Sequence, residues 1–286
     1  VKRYLLILVL FLVSIKAMVS NLTAHIKKPF EKSGTPTEEV IKLLRLAAID
    51  CEDTISAKDV VAKTQEKWLR KAGAERWDID STDHSYHDEL YSWLKENQFI
   101  EELKPEKKLY NYLILLGAAA SRVEQRIAYS ERLADSEITF DKIIVLSGER
   151  PLEEFELDSI ECAEAKKPKT EIEMMKYLMN NKSLQKNSTI EWYSVPMITD
   201  SNGKTRRPNT GDTIKLWMES EPKPGSCLVI STQPHAQYQL AVAQTYLPTE
   251  FEIDIAAPKS SGIVSDGNYL DCLARWMYQE LKLISL

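Results

Sequence analysis

"LYNYLILLGAAASRVEQRIAYSERLADS", residues 109–136, decides how this chain is read. It opens on an apolar run that ends at Gly117, crosses Ala118, Ala119 and Ala120, and continues with helical spacing of apolar and charged residues. A nearly continuous apolar run is what a strand covered on both faces requires. The pattern then repeats. "FDKIIVLSG" (140–148) precedes "TEIEMMKYLMNN", and "TIEWYSVPM" (189–197) precedes "TGDTIKLWMES". "SCLVIST" (226–232) precedes "HAQYQLAVAQTYL", and "FEIDIAA" (251–257) precedes "YLDCLARWMYQELKLI". Strand–helix units in series predict parallel pairing through right-handed crossovers. The expected fold class is α/β, a doubly wound, mostly parallel sheet of about five strands spanning 109–286.

Ahead of that domain, residues 35–108 read as a helical N-terminal region. Thr35 is expected as a helix N-cap, with Pro36 at the first helical position and Glu38 closing a capping box. Ser56 and Asp59 repeat the arrangement, and Tyr86, Leu90, Trp93 and Leu94 fall at helical spacing. Residues 21–34 are polar and read as a linker. Lys2 and Arg3 precede the uncharged run "YLLILVLFLVSI" (4–15), the layout of a secretory signal peptide. The run is shorter than the ~20 residues of a spanning helix. Residues 1–20 are therefore expected to be a signal peptide, with an uncleaved membrane anchor or a buried helix as alternatives.

Among the 286 residues, 43% are hydrophobic, enough to bury a core, which excludes wholesale disorder. The net charge of −6 lacks the basic footprint of a nucleic-acid binder. Cys51, Cys162, Cys227 and Cys272 form no CxxC pair, which excludes a zinc knuckle. Cys227 and Cys272 read as small buried apolar residues. His84 and His87 have no matching third metal ligand.

In an open parallel sheet, ligands bind beyond the carboxyl ends of the strands. The candidate site residues follow from the strand exits. At the first, Gly117 permits a tight turn, Ser121 and Glu124 are spaced as a capping box, and Arg122 is placed to reach a phosphate or carboxylate. At the second, Ser147 and Gly148 make a turn, and Glu149 and Arg150 are expected to pair with each other. Thr170 caps the next helix with Glu173, which leaves Glu171 as an inward-pointing acid. Asn209, Thr210 and Asp212 open the third helix beside Arg206 and Arg207. The fourth strand ends in Ser231, Thr232, Gln233, Pro234 and His235, and a histidine there is a candidate proton donor or acceptor. His235 and Glu171 are thus the candidate catalytic pair. The loop lacks GxGxxG, and "GKT" at 203–205 lacks the upstream glycines of a P-loop.

Taken in order, "LLG…R", "IIVLSG", "TEIEMMKYL", "NTGDT" and "LVISTQPHAQYQ" resemble the YdcF/SanA/ElyC-like family over about residues 109–257. The matching positions are Gly117, Ser147-Gly148, Thr170-Glu171, Asn209-Thr210, and Ser231-Thr232 with His235. The family often carries an arginine three residues after the histidine; Tyr238 stands there in this chain. The resemblance implies a Rossmann-like fold. It also implies kinship with inner-membrane or exported proteins linked to cell-envelope integrity, and with one that binds S-adenosylmethionine.

Together these readings predict an exported or inner-membrane-anchored protein that binds a small anionic ligand, a nucleotide or a lipid-linked phosphate. One alternative is a non-enzymatic envelope scaffold docking a partner through an exposed stripe at Trp68, Trp77 and Trp93. Another is an intracellular S-adenosylmethionine-binding protein.

Overall fold

The computed structural model describes residues 27–71, 79, 85–160, 167–180, 182–184, 188–260 and 264–285. The expected signal or anchor at 1–20 lies outside the described residues, as do His25, Trp77, His84 and Cys162.

Three helices come first: α1 (Glu38–Leu46), α2 (Ala57–Trp68) and α3 (His87–Glu96). The α/β part follows as β1 (Leu109–Leu116), α4 (Ala120–Asp135), β2 (Thr139–Gly148), α5 (Glu154–Asp158), α6 (Glu171–Met179) and β3 (Thr189–Val195). A small hairpin of β4 (Ile198–Thr199) and β5 (Thr205–Arg206) leads to α7 (Thr210–Met218). The chain ends β6 (Ser226–Ile230), α8 (Ala236–Tyr246), β7 (Glu252–Ala256) and α9 (Asp266–Ile284). The five long strands form one parallel sheet in the order β3-β2-β1-β6-β7. This is the expected doubly wound, Rossmann-like α/β fold.

Alternation along the strands sorts side chains onto two faces. In β1, Ile114 and Leu116 pack toward α7 and α8, whereas Leu113 and Leu115 pack toward α4 and α6. Both faces are therefore covered, which explains the unbroken apolar runs. Cys227 is buried against the first layer, and Cys272 is buried on α9, as their apolar settings suggested.

A third core joins the N-terminal helices to α9. Leu43, Val60, Leu90, Leu94 and Phe99 pack there with Leu273, Trp276 and Met277. Trp68 is 8% exposed and Trp93 6%, so neither offers the exposed stripe that a scaffold would present. Trp93 also donates its indole N–H to the Glu39 carbonyl at 2.9 Å. Phe30 is buried in this core, and Lys28 pairs with the buried Glu280 at 2.7 Å, so residues 28–30 are docked on α9.

Two local expectations are corrected. Helix α1 has Thr37, not Thr35, at its N-cap position, without a side-chain cap bond, because Pro36 bridges Phe30 and Glu31 N–H donates to the Thr35 carbonyl at 2.8 Å. That pairing keeps 35–36 extended. Ser56, by contrast, caps α2 as expected and accepts from the Asp59 N–H at 3.2 Å. Gln233 was expected in the ligand site. Its amide instead donates to the carbonyls of Gln98 at 2.8 Å and Glu101 at 2.9 Å, and Gln237 donates to Asn97 at 2.6 Å. The two amides satisfy carbonyls of the loop after α3 and latch the N-terminal region onto the sheet.

Candidate functional site

The chain leaves β1 for β2 and β3 on one side and reaches β6 and β7 on the other, so the strand order reverses beside β1. Open α/β sheets bind ligands in the crevice at that point. A cavity of about 520 Å³ lies there, within the range of small-molecule sites. Its floor is Gly117, Ala118 and Ala119. One wall comes from the β2 exit, Glu171 and residues 207–210. The opposite wall comes from Arg122, Tyr238, Gln239 and, on α9, Asn268 and Arg275.

Arginine dominates the lining: Arg70, Arg122, Arg126, Arg150, Arg207 and Arg275 face the cavity, against Glu171 as the one lining carboxylate among the described residues. Their environments differ. Arg150 is 7% exposed and gives both Nη atoms to Glu156 at 2.7 Å and its Nε to Glu171 at 2.5 Å. Burial alone would lower its pKa, but the hydrogen bonds and charges of Glu156 and Glu171 raise it above the ordinary value. Burial likewise opposes ionisation of Glu156, and Arg150 overcomes it, holding that carboxyl below its ordinary value. Such a matched buried network is rigid and costly to break.

Arg126 is 1% exposed and spans the switch point. Its Nη1 donates to the carbonyls of Leu116 at 2.6 Å and Gly117 at 2.9 Å, while Nη2 reaches Thr232 Oγ1 at 3.4 Å and Gln239 Oε1 at 3.3 Å. Ser231 joins by donating to the same Gln239 oxygen. Arg126 thus ties the end of β1 to the end of β6.

Arg122 is different again. It makes no ion pair with a carboxylate among the described residues, and its Nη1 is buried without a hydrogen-bond partner. Burial pushes its guanidinium below the ordinary value. Beside it, Arg275 grips Asp271 through Nε at 2.9 Å and Nη2 at 3.0 Å, and Arg70 approaches the same carboxylate at 3.6 Å.

Gly117 is needed for a steric reason. A Cβ there would overlap the Glu171 carboxylate, which crosses over the strand end to meet Arg150. Gly148 is similarly tight, since its Cβ would lie 2.8 Å from Pro208 Cγ.

Of the expected site residues, Gly117, Arg122, Ser147, Gly148, Glu171, Asn209 and Thr210 line this cavity. Glu171 points inward as predicted, with Thr170 capping α6 through the Glu173 N–H. Ser121, Asp212, Ser231, Thr232, Gln233 and His235 are not among the lining residues. Asp212 closes a capping box with Asn209 and pairs with Arg206 at 2.7 Å. His235 is buried beside α9, with Nδ1 3.2 Å from Cys272 Sγ. The Ser121–Glu124 capping box does not form, because α4 begins at Ala120 and the Ala120 N–H donates to Glu156 at 3.3 Å. Nor does Glu149 pair with Arg150. It accepts from Ser194 Oγ at 2.7 Å, since adjacent residues leaving a strand point to opposite faces.

Sequence reasoning missed Arg70, Arg126 and Arg275 as lining residues. Arg126 lies one helical turn beyond Arg122, so the i, i+4 spacing was the available signal. Arg275 has the same relation to Asp271.

No family model and no curated protein matches the chain. Among solved structures it is similar to crystal structures of E. coli MccB with ATP and with succinimide, each at 13% identity and a TM-score of 0.26. The matches cover 74% and 73% of this chain, and the chain spans only 53% and 56% of those proteins.

Proposed function

We propose that this chain binds a small anionic molecule, a nucleotide or a lipid-linked phosphate, in the arginine-lined cavity, as a YdcF-like protein of the cell envelope. The observation that carries this reading is Arg122. A guanidinium whose Nη1 is buried without a hydrogen bond costs free energy, and an anion supplies both the acceptor and the opposite charge. The N-terminus of α4 opens onto the same cavity beside Arg122, and its N–H groups favour the same charge. The scaffold alternative loses its main support with the burial of Trp68 and Trp93.

The family assignment rests on the motif order read from the sequence, and export rests on residues 2–15. No helix among the described residues is long and apolar enough to cross a membrane. N-terminal sequencing of the mature protein tests export.

The binding test is a thermal-shift screen against nucleotides, S-adenosylmethionine and polyprenyl phosphates, run on the wild type, Arg122→Gln and His235→Ala. Phosphate-bearing compounds are expected to raise the midpoint of the wild type and His235→Ala but not of Arg122→Gln. Equal shifts in the wild type and Arg122→Gln, or no shift with any anion, would sink the reading.

A further inference from the structure

The two walls of the cavity differ in charge. On the α9 wall, Arg122 has no carboxylate partner among the described residues. Arg275 meets Asp271 through Nε and Nη2, and its Nη1 makes no hydrogen bond within the described residues. On the β2 wall the balance is reversed, because Arg150 lies between Glu156 and Glu171 and Arg207 pairs with Glu153, so three carboxylates meet two guanidiniums. What remains there is neutral hydrogen-bonding capacity. Glu171 Oε1 accepts only two long contacts, from Ser147 Oγ at 3.3 Å and Gly148 N–H at 3.4 Å. Thr210 lines the cavity, and its hydroxyl makes no hydrogen bond to another described residue.

We propose that the ligand is a phosphate ester of a polyol, bound in one direction, with its phosphate on Arg122 and Arg275 and its hydroxyls on Glu171 and Thr210. The inference rests on the anion reading above and adds a second half to the ligand. A phosphate on the β2 wall would face the surplus carboxylate and be repelled. A bare hydrocarbon chain there would displace water from acceptors and a hydroxyl without replacing its hydrogen bonds, a cost that sites built for hydroxyl groups impose on ligands lacking them. Sugar phosphates and nucleoside monophosphates both carry the required chemistry, hydroxyls one or a few bonds from a phosphate.

Isothermal titration of the full chain separates the possibilities. The probes are inorganic phosphate, glucose 6-phosphate, AMP, glucose and undecaprenyl phosphate. At least one of the two hydroxylated esters is expected to bind about tenfold or more tightly than inorganic phosphate and undecaprenyl phosphate. Thr210→Val should bring the ester down to the level of phosphate and leave phosphate binding unchanged. Arg122→Gln, and separately Arg275→Gln, should weaken both, with circular dichroism confirming that each variant is folded. Esters binding no better than inorganic phosphate overturn this proposal and leave the anion reading standing. An ester preference that survives in Thr210→Val also overturns it. Failure of every phosphate compound to bind overturns both.

Discussion

Two of the places where charge is buried among the described residues handle it in opposite ways. Beside the sheet edge formed by β7, Asp254 is fully buried, and every approach to it is filled. Tyr110 donates its hydroxyl, and the N–H groups of Glu106 and Ile255 each donate at 2.7 Å. At the carboxyl ends of the strands, Arg150 is matched in the same manner, but Arg122 nearby is not. Satisfied burial locks a fold. Burial left unsatisfied above a cavity is tolerated where a ligand completes it.

The largest expected effect comes from attacking the matched half of the site. Arg150→Ala strands Glu156 and Glu171 without their cation, and equilibrium unfolding should report a loss of about 3–5 kcal/mol. A loss below ~1 kcal/mol would show that the network is not integral to the fold. Gly117→Ala comes next. The added methyl displaces Glu171 from Arg150, and about 1–3 kcal/mol of destabilisation is expected, together with weaker ligand binding. Asp254→Ala should also cost about 1–3 kcal/mol, by stranding the Tyr110 hydroxyl and two N–H groups, but it should leave binding untouched. Binding loss in that variant would erase the distinction between the two regions.

Acid titration sharpens the contrast at smaller amplitude. Arg150 holds Glu156 below its ordinary value, so the Glu156 contribution is complete above the unfolded carboxylate range of about 4 and is lost as pH falls. Asp254 has the opposite sign. Burial holds its carboxyl above the ordinary value, so its contribution is complete at low pH and is lost as pH rises. Glu156→Gln should therefore flatten the acid limb of a stability–pH curve, and Asp254→Asn should steepen it. The reverse pattern would mean that the two acids have been assigned to the wrong environments.

How much of this the sequence disclosed depends on the range of the interaction. The strands were legible because apolar runs and helical spacing are local signals, and both faces of the sheet are covered. Glu171 was legible because Thr170 and Glu173 fill the capping roles on either side of it and leave it none. Arg150 was misread as the partner of Glu149, because its true partners, Glu156 and Glu171, are brought to it by a turn and a crossover. Gln233 was misread for the same reason, since the carbonyls it serves belong to a loop more than 130 residues earlier. Arg275 lies on the last helix and reaches the cavity only because α9 packs against both α8 and the N-terminal helices. His235 combined a suggestive residue type with a suggestive position, yet its ring turns to Cys272 behind the cavity.

The smallest expected effect on stability belongs to the residue that matters most for binding. The central claim is that the charge of Arg122 serves a ligand and not the fold. Urea unfolding of the wild type and Arg122→Gln, each with and without excess inorganic phosphate, tests it directly. The unliganded variant should be within about 0.5 kcal/mol of the wild type, or more stable, and phosphate should stabilise only the wild type. A variant that is substantially less stable without ligand, or that phosphate stabilises as much as the wild type, would contradict the account.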